Sequence, residues 1–240
     1  MSKSALVVGS GSGIAKELIW ELEGEGWDVS CVDREQSHEG GIVIDDVSQI
    51  SLKSQLDMAF SPIYSPDVIV NCIGYNHLSN IEDLTAADFN RMIMANVWSH
   101  VEVLQVFQDR LAGNHGRLIE VVSNASYVPM THSLIYNMSK AAQEMFVKQA
   151  ARELTKSKGI SIIGVSPTKV RGTGMSDYID RTVPEMRGWT RDQAEVYQKN
   201  ALTSGRELDP DEVAEVLRWL CNLSPRMAMQ FSGRIIPVGA

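Results

Sequence analysis

Tyr136 and Lys140 stand four residues apart in the run Ser133-Leu-Ile-Tyr-Asn-Met-Ser-Lys140. In a helix that spacing puts a phenol and an ammonium on one face. A free tyrosine has a pKa near ~10, so about one molecule in a thousand is phenolate at neutral pH. A neighbouring cation favours the anion and lowers that pKa. The pair is therefore expected to exchange a proton with a bound oxygen under mild conditions. A second constellation lies near the N-terminus, in Val8-Gly-Ser-Gly-Ser-Gly-Ile-Ala15. A glycine-rich turn between a strand and a helix lets backbone amides and the helix N-terminus approach a pyrophosphate. The run does not fit G-x-G-x-x-G, but it fits G-x-x-x-G-I-x through Gly9, Gly13 and Ile14, with Ser10 and Ser12 between them. Asp33 follows 20 residues after Gly13. A carboxylate there can accept hydrogen bonds from both hydroxyls of an adenine ribose and repels a 2'-phosphate. Arg34 beside it could instead pair with that phosphate. NAD is favoured over NADP.

Elements able to position these groups alternate along the chain. Short β-rich runs at 5–8, 28–32, 41–44, 68–71, 117–122, 161–165 and 234–238 read as strands. Segments 14–25, 48–59, 86–111, 134–156 and 209–221 carry helix-like apolar spacing. Pro210 behind Asp209 is a capped helix start. The pattern predicts an α/β fold, a parallel seven-stranded sheet with helices on both faces. Too few residues join the second strand to the third for a full crossover helix, so that helix is expected to be missing.

With 240 residues and 44% hydrophobic content the chain can bury a substantial core, and no Pro-, Gly- or Ser-rich linker divides it. It reads as a single domain, 1–240. No apolar run approaches the ~18 residues of a membrane span, and the start of the chain lacks the features of a secretory signal. A cytoplasmic location is the expectation. Cys31, Cys72 and Cys221 are scattered and odd in number, which favours free thiols and suggests no metal site. A net charge of -8 argues against a nucleic-acid surface.

The glycine turn, Asp33 and the Tyr136/Lys140 pair, in this order, resemble the short-chain dehydrogenase/reductase family, a doubly wound Rossmann fold. Its tyrosine-dependent members transfer hydride between a nicotinamide and a carbonyl or alcohol carbon. The resemblance covers nearly the whole chain. Asp46-Val47 matches the pair that flanks adenine, and Asn71-Cys72-Ile73-Gly74 matches the segment after the fourth strand. Asn96 matches the helix asparagine of the catalytic tetrad, and Ser123 precedes Tyr136 by the family's usual thirteen residues. Pro167, Val170 and Thr173 resemble the segment that contacts the nicotinamide and phosphates. The resemblance implies Tyr136 as general acid or base, Ser123 as holder of the substrate oxygen, and Lys140 as ligand of the nicotinamide ribose. Lys140 would also lower the tyrosine pKa, and Asn96 would hold a water that links the lysine to solvent.

The chain departs from the family at several points. Cys72 and Ile73 stand in place of Asn and Ala, Thr168 in place of the glycine after the proline, and Gly239-Ala240 in place of Asp-Gly-Gly. Residues 173–207, with Tyr178, Trp189, Tyr197 and several arginines, are expected to form a lid over a substrate cavity lined by Ser123, Tyr75, His77, His132 and Tyr136. The substrate is expected to be a small alcohol or ketone. A dinucleotide-binding sensor without turnover and a pteridine reductase are the rival readings. Family resemblance implies a homodimer or homotetramer, paired through the helices at 86–111 and 134–156.

Overall fold

The structure, a computed structural model, describes residues 3–44 and 51–239. Seven strands form one parallel sheet: β1 (Ser4–Val8), β2 (Asp28–Asp33), β3 (Ile42–Val43), β4 (Val68–Asn71), β5 (Arg117–Val121), β6 (Ser161–Pro167) and β7 (Ile235–Val238). Their spatial order is β3-β2-β1-β4-β5-β6-β7. The winding reverses between β1 and β4, so a crevice opens beyond the carboxyl ends of the central strands.

Nine α-helices are seen among the described residues: α1 (Gly13–Gly24), α2 (Leu52–Ala59), α3 (Ala86–Ile93), α4 (Ser99–Gly113), α5 (Leu134–Lys158), α6 (Gly174–Arg187), α7 (Arg191–Ala201), α8 (Pro210–Asn222) and α9 (Pro225–Phe231). Strand side chains alternate between the two faces of the sheet. Leu6, Val8, Ile69, Leu118 and Ile162 pack with Leu104, Phe107 and Val147 under α4 and α5. Ala5, Val68, Val70, Ile119 and Val121 pack with Leu18, Leu22 and Leu217 under α1 and α8. Each side chain of this size removed from water contributes about 1.5 to 3 kcal/mol, which makes the two apolar layers the main support of the sheet.

Local signals fix the helix ends. Ser12 caps α1 by accepting from the backbone amide of Ala15. Asp209 and Glu212 form a reciprocal cap at the start of α8, with Pro210 in its first turn. α5 runs for 25 residues and stops at Gly159, whose φ of 70° closes the last turn beside Lys156 and Lys158.

Three elements differ from expectation. The helix expected over 86–111 is interrupted by a π-helical turn at Met94–Trp98. That turn widens the backbone and brings Asn96 into the interior, where its amide is bonded on both sides. The third strand is only two residues long, shorter than the run 41–44, while the absence of a helix in 34–41 is as expected. The lid segment contains two helices, α6 and α7. Their side chains are mostly exposed or half-buried, so they carry little apolar periodicity. Their starts are marked instead by the caps Thr173 and Thr190.

Candidate active site

The carboxyl ends of β1, β4, β5 and β6 open into a cavity of about 1730 Å³. Gly9, Ser12, Gly13 and Ile14 of the glycine turn line one part, with Asp33 and Arg34 beside them. Cys72, Ile73, Gly74 and Tyr75 form the floor after β4, while Ser123, Tyr136, Lys140, Pro167, Val170 and Thr173 line the remainder. His77 is on the wall as well.

Four expected site residues do not reach the cavity. Ser10 is buried and its hydroxyl pairs with that of Ser37 at 2.7 Å. Asn71 is buried at the end of β4, where Oδ1 accepts from the amide of Ile73 at 3.2 Å and so shapes the turn that presents residues 72–74. Asn96 lies inside the π-helical turn. His132 has a φ of 65° and uses its carbonyl to accept from the amide of Ser79, while its neighbours Thr131 and Ser133 face the cavity. Asp46 and Val47 lie outside the described residues.

At the reacting end, the first turns of α5 place Tyr136 and Lys140 side by side, the ammonium 5.9 Å from the ring centre. Both are buried, at 6% and 2% exposure. Ser123, just past β5, is a side-chain neighbour of Tyr136; its Oγ accepts from the amide of Ala125 at 3.1 Å and donates to Oδ1 of Asn124 at 3.4 Å. The Tyr136 hydroxyl donates to Sδ of Met175 at 3.6 Å. Burial pushes the tyrosine up to about 12, opposed by the neighbouring Ser123 side chain. Burial brings Lys140 down to about 8, opposed by the nearby Glu120 carboxylate and then by Cys72.

The expected lowering of the tyrosine pKa by Lys140 is thus reversed. The ammonium lies along the ring and is engaged elsewhere, donating to Oε1 of Gln143 at 2.8 Å and to the carbonyl of Val121 at 3.4 Å. Desolvation of the phenolate therefore dominates. Asn96 is bonded to protein groups on both sides of its amide, with one lone pair of Oδ1 left over. Oδ1 accepts from the Tyr75 amide at 2.7 Å, and Nδ2 donates to the Tyr75 carbonyl at 2.8 Å and to Ser139 Oγ at 2.9 Å. It clamps the segment after β4 to α5.

At the other end, Gly9 adopts φ +78°, and a Cβ there would lie 2.8 Å from backbone atoms of Cys72 and Ile73. Only glycine allows the turn to press against that segment. The Gly11 amide donates to Asp33 Oδ2 at 2.7 Å and the Arg34 amide to Oδ1 at 2.7 Å. The Glu35 amide also donates to Oδ1 at 3.4 Å, so of the about four acceptor positions of a carboxylate Asp33 keeps about one, on Oδ2. No acidic residue occupies the first turn of α1, and its N-terminus keeps its attraction for anions.

The lid is anchored at both ends. Val170 and Leu208 form an isolated parallel bridge, and Lys169 pairs with Asp180 and with Glu207, the latter at 2.7 Å. Inside it, Arg187 stacks on Trp189 and Tyr197 at 4.5 and 4.8 Å. α6 leans Met175 on Tyr136, and the Tyr178 hydroxyl accepts from the Leu78 amide at 3.0 Å. Met175 was not legible as a site residue: a single methionine after β6 carries no chemical signal, and only the lid's position hinted at such contact.

Residues 3–184 match the family model for short chain dehydrogenases, well over half of the chain. The chain belongs to the short-chain dehydrogenase family. It is an oxidoreductase of that family. It is 24% identical over 240 residues to the L-2,3-butanediol dehydrogenase of Corynebacterium glutamicum, covering 92% of each chain. In fold it is similar to a short chain dehydrogenase family protein from Francisella tularensis, with TM-score 0.83 at 22% identity and coverage of 99% and 97%. It is also similar to an actinorhodin polyketide ketoreductase variant with NADPH, with TM-score 0.85 at 22% identity and coverage of 99% and 95%. The donor set at the glycine turn fits the nicotinamide cofactor on which family members depend. Among the described residues no helix is long and apolar enough to cross a membrane, and no cluster of His, Cys, Asp or Glu could hold a metal.

Proposed function

We propose that the protein uses NAD(H) to interconvert a small secondary alcohol and the corresponding ketone, with Tyr136 as the proton donor or acceptor. One observation carries the reading: Ser123, Tyr136 and Lys140 line one end of a cleft whose other end is a glycine turn bonded to the Asp33 carboxylate. The likeness to a butanediol dehydrogenase and to a ketoreductase supports that substrate class.

A bound nicotinamide supplies or accepts the hydride. The chain's own residues handle the oxygen. Ser123 turns its hydroxyl from Asn124 and donates to the carbonyl oxygen, stabilising the charge that develops there. Tyr136 then delivers its proton to that oxygen. An alkoxide is a far stronger base than a phenolate, so a tyrosine held at about 12 still donates downhill. The same burial makes the phenolate needed for alcohol oxidation costly, which favours the reductive direction near neutral pH. Lys140, reaching to within 3.8 Å of the Gly74 Cβ position, holds the ribose edge with its ammonium. Met175 and Tyr178 shield the reacting oxygen from water.

Asp33 supports NAD rather than NADP, since its carboxylate faces the cavity with an acceptor position to spare and would repel a 2'-phosphate. Arg34 and Lys16 on the same wall are the groups that would favour the phosphate. Trp98, Met138 and Met145 are exposed on the π-helical turn and α5, which supports pairing of subunits through these helices.

The test follows NADH and NADPH absorbance against a panel of keto acids, diketones, sugars and acyl thioesters. Tyr136→Phe is expected to keep NADH binding while turnover falls about 10²- to 10⁴-fold. A wild-type protein that binds NADH yet reduces nothing in the panel would return the sensor reading.

A further inference from the structure

Glu120 is a carboxylate in the middle of β5, a central strand, on the face that Leu118 and Val122 turn toward α4 and α5. It is fully buried. His100 of α4 is equally buried and hydrogen-bonds its Oε2 through Nδ1. Gln143, one turn beyond Lys140 on α5, donates through Nε2 to Glu120 Oε2 and to the Val121 carbonyl, both at 3.3 Å. Its Oε1 accepts from Lys140 at 2.8 Å. A continuous polar chain therefore runs from His100 through Glu120 and Gln143 to the ammonium on the cavity wall. Every member is 0 to 2% exposed.

Such a chain is expensive to bury. Apolar side chains of similar volume would usually serve packing as well or better, as Leu118 and Val122 do on the same face of β5. What the apolar alternative lacks is a negative charge and a fixed acceptor behind Lys140. We propose that Glu120, held by His100, is a positioning residue for the reaction: acting through Gln143, it fixes the Lys140 ammonium at the cavity wall and keeps it charged.

This rests on the reading of Tyr136 and Lys140 as the reacting pair. The groups facing Lys140 are Glu120 from β5, Cys72 from the segment after β4, Gln143 and Tyr136 from α5, and, behind Gln143, His100 from α4. The Cys72 thiol is pushed up to about 12 by burial and stays neutral. Glu120 is then the one group in direct electrostatic contact that can supply a counter-charge. Burial works against the ammonium, and Glu120 is first among the influences that oppose it. An opposite charge nearby favours the ammonium form of a lysine.

The test titrates Lys140 in the full chain labelled with carbon-13 lysine, its Cε signal assigned by loss in Lys140→Met. Glu120→Gln keeps the shape of the side chain, and is expected to lower the Lys140 midpoint by about one unit or more. The alkaline limb of kcat/KM for ketone reduction should move by the same amount, and NADH affinity should fall at pH 8 more than at pH 6. Gln143→Met leaves the charge and removes the acceptor, and is expected to lower the midpoint by less. It carries the test if circular dichroism shows that Glu120→Gln does not fold. A purely structural cluster would lower the melting temperature without moving the titration, and an unshifted midpoint in the folded variants overturns the proposal. A shifted midpoint in a protein that reduces no carbonyl would leave the positioning role standing and remove the proposed activity instead.

Discussion

Beside Asp33 the sheet runs out in β3, two residues long and incompletely buried, whereas beside Tyr136 the cavity is bounded by β5 and β6, every residue of which is buried. The connection 34–41 that carries the first end is held by surface contacts, such as His38 with Glu23 at 2.9 Å and Gln36 with the His38 carbonyl. The second end is held by the buried bonds of Asn96 to Tyr75 and Ser139, and by the chain behind Lys140. Exposed pairs contribute about 0 to 1 kcal/mol, while a buried group that loses its partner costs about 1 to 3. The ribose end can therefore be altered without unfolding the protein. At the Tyr136 end, the side chains proposed to carry the reaction also carry stability.

The largest effect is expected from Lys140. Lys140→Met should reduce kcat/KM about a hundredfold or more, and the wild-type pH profile should locate the cause. Lys140 is brought down to about 8 by burial, so it is an ammonium below that pH and neutral above it. Ketone reduction should hold level on the acid side and fall about tenfold per pH unit above about 8. A profile flat to pH 10 would separate the ammonium from the reaction.

Gly9→Ala addresses the seam between the two ends. The new Cβ would meet the backbone of Cys72 and Ile73 at 2.8 Å, in a conformation that side chains avoid. Overpacking of this kind costs about 1 to 3 kcal/mol, with roughly 1 to 2 more for the left-handed backbone. Urea unfolding should show an earlier midpoint, and NADH binding should weaken with it. A variant with unchanged midpoint and affinity would mean that the turn does not need this contact.

How much of this could be read from the sequence follows the same division. Tyr136, Lys140 and Ser123 were legible because their chemistry depends on local spacing, along one helix and at one strand end. The centre of the sheet was legible because β1, β4, β5 and β6 are buried on both faces and read as largely apolar runs. Asn96 was found by position, but its bonds to Tyr75 and Ser139 were not, since the π-helical turn that turns its amide inward leaves no mark in the apolar pattern. Glu120, His100 and Gln143 come from three separate elements, and only packing brings them together. A charged residue at the centre of the otherwise apolar run 118–122 was the one signal that pointed to them. The helices of the lid escaped notice because caps, rather than a buried stripe, define them.

Asp33 offers a smaller effect confined to the ribose end. Asp33→Ala is expected to weaken NADH about tenfold, a change of ~1.4 kcal/mol, with less loss or even a gain for NADPH. The Gly11 amide also loses its acceptor, which Asp33→Asn would restore while removing the charge. Dissociation constants for both cofactors across the two variants separate charge from turn geometry. An equal loss for NADH and NADPH in Asp33→Ala would remove the reason to favour NAD.

The smallest effect is the sharpest check of the contrast between the two ends. His38 bonds Glu23 across the surface and reaches its neighbour Glu39 through Nδ1 at 2.8 Å, and both contacts are open to solvent. His38→Ala should change stability by no more than about 0.5 kcal/mol, and added salt should change it by as little. If the variant instead lost several kcal/mol, or if NADH binding collapsed with it, the 34–41 connection would be part of the core structure. The ribose end would then be as tightly coupled to folding as the reacting end, and the separation drawn between them would fail.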